Sequence, residues 1–322
     1  MANYVKISTI GAKTPSTNPG AGQDAVDQMI HYWQGRFAQV LPDQPDLIVV
    51  PECCDRYPAH NAEQCRAYYQ VRGTQVGDYF ADVARQHQCY VAYPALRQME
   101  DGSWRNSVQL FDRAGASMGC YNKNFPVIHE TTEGGVLCGL DAPIFECDFG
   151  RAACAICFDL NFDEIRQKYV NSRPDILLFP SMYHGGLMQN YWAYSCRTHL
   201  VTAVCGLPSG ILSPVGELTA TTTNYYDFVS VTANLDCQVA HLDGNGDKLR
   251  ALRQKYGPKV SVFDPGHLAS VLISSETDEA TSAEMVEEFA IELLDDYMER
   301  SMAHRRDPHN VEEELLLTEE SV

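Results

Sequence analysis

A cysteine at the end of a buried strand and the start of a helix stands where nucleophilic chemistry is possible. Residues 151–166 read RAACAICFDLNFDEIR. Ala152, Ala153, Ala155 and Ile156 form a short apolar run, Asp159 and Asn161 break it, and 162–166 has helical spacing. Cys157 therefore ends a strand, where free backbone N–H groups stabilise a thiolate and any oxyanion formed beside it. Two more reactive side chains follow strands in the same manner. Residues 46–50 read as a short apolar strand that runs into Pro51-Glu52-Cys53-Cys54. Glu52 has two readings: an exposed loop acid, or a base held at a strand's carboxyl end, where open α/β sheets place their sites. Lys123 ends a strand over 119–123 in the same way.

The elements that must position these residues are legible in the hydrophobic pattern. Residues 4–10 alternate as a strand, and 25–40 has helical periodicity with Val26, Met29, Ile30, Trp33, Phe37 and Val40 on one face. A helical stretch over 62–86 breaks near Gly73. Strands follow at 90–96, 104–111 and 119–123, the last two joined by a turn at 112–115. Residues 124–140, with Pro126, His129, Glu130, Glu133 and three glycines, read as an irregular loop, and loops of that length in a compact region are usually functional. A hairpin over 144–157, a helix at 162–170, a strand at 175–179, a helix at 188–200 and a strand at 201–206 come next. A strand-turn-strand over 209–218 precedes 228–235, the last clear strand. A polar helix is expected at 243–256. One long acidic helix is expected at 281–304, with Met285, Phe289, Leu293 and Tyr297 on one stripe and Pro308 beyond it, then a loose tail at 311–322. Hairpins interrupt the crossovers, so the fold class is α/β: mixed sheets with helices outside.

Composition bounds the rest. A chain of 322 residues, 45% hydrophobic and 21% charged, can bury a large core. No apolar run approaches membrane-spanning length, and residues 1–12 lack the order of a signal peptide, so a cytoplasmic location is expected. The twelve cysteines are scattered, as buried reduced thiols would be. The lone pair Cys154 and Cys157 points to opposite faces of a strand, which suits neither a redox pair nor a metal clip. The formal net charge is −19, with most of the excess after Ser275. Such a field disfavours nucleic acid and anionic membranes as partners.

Three motifs stand in order: LIVVPE at 47–52, YNKNFP at 121–126 and ICFD at 156–159. Together they resemble the nitrilase (carbon–nitrogen hydrolase) superfamily over residues 4–234, including Pro180-Ser181 and the Ser213-Pro214-x-Gly216 turn. The resemblance implies a four-layer α-β-β-α sandwich, a domain over 1–260 and an acidic C-terminal extension over 261–322 with one long helix. It implies a cysteine amidohydrolase without cofactor or metal, whose protomers pair as a homodimer or higher homo-oligomer. The chemistry fits the residue types. An amide carbon is a poor electrophile and needs both a strong nucleophile and a held oxyanion. Glu52 can take the proton of Cys157 and later activate water. Lys123 would lower the thiol pKa and hold the oxyanion, with the N–H of Phe158 as second donor. Ammonia or an amine leaves, and water cleaves the thioester. The family uses a second glutamate between Lys and Cys: Glu130 is preferred, with Glu133 the alternative.

The branch is read from Cys157-Phe158-Asp159-Leu160-Asn161-Phe162. Asp159 favours an amidase over a nitrilase, and Asn161 stands where related amidases and carbamoyl-amine hydrolases place arginine, which suggests a neutral substrate unless Arg166 or Arg197 substitutes. Asn161, Tyr183, His129 and His184 are candidate pocket residues. Competing readings are a nitrilase, an N-carbamoyl amine hydrolase, an inactive binding relative, and a papain-like enzyme with a histidine base.

Overall fold

The computed structural model describes residues 1–312; of the tail expected at 311–322, the part from 313 onward lies outside the described residues. The chain divides into two compact units, Asn3–Leu235 and a smaller one formed by Met1–Ala2 with Asp236–Val322.

The larger unit begins with β1 (Tyr4–Ile10), α1 (Gln23–Val40) and β2 (Leu47–Val49), then α2 (Ala62–Arg72), α3 (Gln75–His87), β3 (Tyr90–Gln98), β4 (Trp104–Phe111) and β5 (Ser117–Asn122). A short helix α4 (Ile128–Thr132) leads to β6 (Phe145–Cys147), β7 (Gly150–Cys154), α5 (Asp163–Ser172), β8 (Ile176–Ser181), α6 (Leu187–Cys196) and β9 (His199–Val204). Strands β10 (Gly210–Leu212), β11 (Leu218–Thr221) and β12 (Phe228–Asn234) complete it. One sheet has the order β12-β1-β2-β3-β4-β5 and the other β11-β10-β9-β8-β7-β6. Both mix parallel pairs (β1–β2–β3, β7–β8–β9) with antiparallel ones. Alternate residues of β1, β2, β4 and β7 meet in the core between the sheets, and Thr9 Oγ1 donates across it to the Thr202 carbonyl at 2.7 Å. The helices α1–α3 cover the outside of the first sheet, burying Met29, Trp33, Phe37 and Phe80 completely. Side chains of that size contribute ~1.5–3 kcal/mol each when buried. Helices α5 and α6 cover the second sheet through Ile165, Tyr169 and Trp192. This is the four-layer α-β-β-α arrangement.

Local signals account for the boundaries. An Asn61/Gln64 capping box starts α2, with Gln64 N–H donating to Asn61 Oδ1 at 2.9 Å, and Gly73 at φ 49° ends it. The helix expected over 188–200 is shorter, because residues from His199 onward join the β9 ladder against β8.

The smaller unit corrects three expectations. Strand 228–235 is not the last: β13 (Cys237–His241), β14 (Val260–Phe263) and β15 (Ser270–Ser275) form an antiparallel sheet in the order β13-β15-β14. The boundary expected at 260 falls at Leu235, because β13 pairs with β15 along its whole length. After α7 (Gly246–Tyr256), the single helix expected at 281–304 is two, α8 (Ser282–Glu288) and α9 (Leu294–Arg306). The break has a physical cause. Asn245 brackets Glu292, donating to its carbonyl at 2.9 Å and accepting from its N–H at 3.1 Å, and Leu293 bridges to Ala240. Ala290 adopts φ 49° to make the turn. Of the expected stripe, Met285 is buried in the cluster with Ala240, Leu252 and Ile273, and Phe289 and Leu293 pack against it, although the helix is split.

Candidate active site

Each reactive side chain follows a strand end of the larger unit: Glu52 after β2, Lys123 after β5, and Cys157 after β7. Glu52 and Lys123 are 3% and 2% exposed, and charges buried so deeply need partners. Lys123 Nζ lies 2.8 Å from Glu52 Oε1 and 2.7 Å from Glu130 Oε2. Asn106 Nδ2 donates to both carboxylates, at 2.8 Å to Glu52 Oε1 and 3.0 Å to Glu130 Oε1. The Met182 N–H donates to the second oxygen of Glu52 at 3.0 Å, and the Val127 N–H to Glu130 Oε2 at 2.9 Å. Both carboxylates are thus held by donors on both oxygens, the arrangement an ionised carboxylate requires. Lys123 is driven upward: burial opposes its charge, but Glu52, Cys157 and Glu130 outweigh burial. Burial raises Glu130, and Lys123 with its hydrogen bonds brings it net below the usual carboxylate range.

Cys157 is 8% exposed and sits at φ 50°, in the left-handed region. A non-glycine residue held there costs roughly 1–3 kcal/mol, supplied by the surrounding packing. The Met182 N–H and the Ser181 side chain both favour the ionised form of its sulfur. Burial, then Glu52, pushes the thiol up to about 12, although Lys123 pulls it down. The expected lowering by Lys123 is therefore outweighed by burial and by Glu52.

The turn that carries Cys157 is anchored by Asp159, which is fully buried. Its carboxylate accepts from the Ile156 N–H at 2.8 Å, the Tyr121 hydroxyl at 2.6 Å and the Phe125 N–H at 2.8 Å. Tyr121 and Phe125 flank Lys123, so one side chain fastens the nucleophile turn to the lysine segment. Burial raises Asp159 to about 6 against these three hydrogen bonds. Gly139 brings the end of the long loop onto the same segment: its N–H donates to the Lys123 carbonyl at 2.8 Å, and a Cβ there would collide with the Asn122 carbonyl.

Of the two candidate glutamates, the structure brings Glu130 to Lys123 and leaves Glu133 exposed at the end of α4, with His129 exposed beside it. The loop expected at 124–140 contains this one short helix, whose first turn aims Glu130 inward. Phe158 is half-buried next to Cys157. Asn161 is exposed and spends its amide on the Phe158 carbonyl and the Tyr183 hydroxyl, each at 3.0 Å. Arg166 is engaged by Asp163 and stacks over Tyr191. His184 Nδ1 accepts from the Gly186 N–H. Trp192 is core, its indole N–H bonded to the Leu160 carbonyl. Asn106, Asp159 as an anchor, and the Met182 N–H had no place in the sequence-based site. Asn106 did carry a signal: it shares the inner face of β4 with Val108 and Leu110 and is the polar member of that row.

The fold and this strand-end cluster define the nitrilase-like class of four-layer α/β hydrolases. The chain belongs to the carbon-nitrogen hydrolase family, whose model matches residues 22–204. Its reaction class is accordingly hydrolysis at carbon–nitrogen bonds. Solved structures share the fold. Nit3 of Saccharomyces cerevisiae, a member of branch 10 of the nitrilase superfamily, aligns at TM-score 0.59 and 14% identity over 79% of this chain and 95% of its own. A carbon-nitrogen hydrolase from Helicobacter pylori gives 0.59 and 13% over 79% and 93%. An amidase from Nesterenkonia sp. gives 0.60 and 15% over 77% and 95%. No curated protein matches the chain by sequence. No helix among the described residues is long and apolar enough to cross a membrane.

Proposed function

We propose that the protein is a cysteine amidohydrolase that cleaves a small-molecule amide, other than a peptide bond, through a thioester on Cys157. The observation that carries this reading is the buried Glu52–Lys123–Glu130 cluster, whose charges act on the Cys157 thiol. Glu52 takes the thiol proton as the sulfur attacks the carbonyl carbon. The oxygen becomes negative, and Lys123 with the Phe158 N–H holds it; one such donor is worth ~3 kcal/mol of transition-state stabilisation. The proton on Glu52 passes to the departing nitrogen, and ammonia or an amine leaves. Water, deprotonated by Glu52, then opens the thioester, releasing the acid and restoring the thiol. Glu130 positions Lys123. The scheme uses no metal or cofactor.

Cys157→Ala is expected to abolish ammonia release across a panel of amides, nitriles and ureido compounds while its thermal melt stays cooperative. Wild-type turnover by that variant would refute the assignment. Glu52→Gln is expected to lower kcat by roughly 10²–10⁴-fold. A papain-like histidine base would leave kcat nearly unchanged. We also propose a cytoplasmic enzyme whose protomers pair, to be read as a dimer or larger species in sedimentation equilibrium.

A further inference from the structure

We infer that Ser181 is a positioning residue of the reaction: its buried hydroxyl closes the bend after β8 that holds one backbone N–H, that of Met182, for both the base Glu52 and the sulfur of Cys157; this rests on the amidohydrolase reading above. Strand β8 ends at Ser181, past the point where β7 stops pairing with it, at Cys154 opposite Leu178. On the other side the ladder with β9 runs on to Ser181 and Val204, and the Cys205 N–H donates to the Ser181 carbonyl at 2.9 Å. The strand end is thus fixed on one side and free on the side where β7 has given way to the turn of Cys157. Ser181 is fully buried, and its hydroxyl brackets Tyr183: it donates to the Tyr183 carbonyl at 2.6 Å and accepts from the Tyr183 N–H at 3.0 Å. Short hydroxyl side chains close bends onto the backbone two residues on in this way, and an alkyl side chain cannot. Asn161 ties the far end of the bend to the nucleophile turn, donating to the Tyr183 hydroxyl and to the Phe158 carbonyl.

Met182 lies at the crest of that bend. Its side chain is 40% exposed, while its N–H turns inward and donates to Glu52 Oε2 at 3.0 Å. The position is therefore held for its backbone donor rather than for its side chain. That donor stands by both partners of one proton transfer. Before the transfer it supports the Glu52 carboxylate. When the S–H bond of Cys157 breaks and an O–H bond forms on Glu52, the negative charge passes from carboxylate to sulfur. The same N–H can follow it, since the Met182 N–H and the Ser181 hydroxyl both favour the ionised sulfur. A donor fixed in advance serves the developing charge without reorganising, and hydrogen bonds to a charged group are the strong ones. Burial and Glu52 push this thiol up to about 12, so each group that favours its anion counts. Without the hydroxyl of Ser181 the bend loses both of its side-chain hydrogen bonds, and the Met182 N–H loses its aim.

The test takes two readings on the full-length protein. In the first, wild type and Ser181→Ala are treated with iodoacetamide without substrate, and modification of Cys157 is followed by peptide mapping against the exposed Cys138. Cys157 is expected to react about tenfold more slowly in the variant, because its anion has lost donors. A hydroxyl that only packs the strand end predicts the reverse, since a loosened site admits the reagent faster; an unchanged or faster rate overturns the inference. In the second, on an amide of the panel above that the wild type cleaves, kcat is expected to fall about tenfold or more while KM stays within about threefold. The acid limb of kcat/KM is expected to move to higher pH, because a carboxylate that loses an N–H donor takes up a proton more readily. Lys123, Glu130, Cys53, Arg56 and Cys205 also surround this pair, and the substitution leaves them in place. Ser181→Thr keeps the hydroxyl and is expected to recover part of both readings; Ser181→Cys, of similar volume but a weak donor, replaces Ser181→Ala if that variant does not melt cooperatively. Wild-type kcat with an unmoved acid limb, or a threonine variant no better than alanine, overturns the inference. Absence of ammonia release by the wild type, or its persistence in Cys157→Ala, strikes the amidohydrolase reading instead, and the alkylation rates then decide the role of Ser181.

Discussion

Asn106 shows how much of the site depends on a residue that does no chemistry. Its amide donates to both glutamates that flank Lys123. Asn106→Leu removes both hydrogen bonds from buried carboxylates, so stability is expected to fall by ~1–3 kcal/mol in denaturant titration. The fall in kcat is expected to exceed any rise in KM, since Glu52 loses an orienting partner. A second expectation concerns acid. Burial raises Glu130, but Lys123 brings it net below its ordinary value near 4.5, so its carboxylate is more acidic folded than unfolded. That contribution to stability is present above the unfolded value and is lost as pH falls through the folded one. Melting temperature is therefore expected to drop below about pH 4.5, and Glu130→Gln to flatten that acid limb. Glu52, Lys123 and Cys157 stand out in the sequence because each follows a strand. Asn106 does not, because its meaning depends on which face of β4 turns inward, and on what another strand brings opposite it.

At the scale of elements, periodicity carried most of the architecture, and tertiary pairing explains where it fell short. The face of α1 reads directly from Val26, Met29, Trp33 and Phe37, all of them buried. The stripe through Met285 and Phe289 reads equally well, yet nothing in its spacing reports that Asn245 captures Glu292 and splits the helix. Ala290 bears the strain of that break. Ala290→Gly is expected to stabilise the protein by about 1 kcal/mol, seen as a raised melting temperature. Gly139 offers the opposite case. Gly139→Ala drives a methyl group into the Asn122 carbonyl and displaces the loop end bonded to Lys123. A tenfold or greater loss of kcat with a smaller change in melting temperature is the expected pattern. Strand β14 was missed because a short, largely exposed strand such as VSVF carries little periodicity of its own.

For the whole molecule, charge and burial divide the labour. The formal net charge of −19 keeps polyanions away, and no capture on duplex DNA is expected even at low salt. The Glu52–Lys123–Glu130 cluster lies below the surface, where one ammonium offsets part of the charge of two carboxylates. Family and layer order follow from residues spread over most of the larger unit, which is why three short motifs could announce them.

Burial and Glu52 hold the Cys157 thiol well above its ordinary range behind a nearly closed surface, and this has a bearing on durability. Alkylating agents and peroxide attack the anion, not its conjugate acid. In the absence of substrate, iodoacetamide is expected to modify the exposed Cys138 well before Cys157, as peptide mapping would record. A thiol held this high is expected to outlast an exposed one in an oxidising medium.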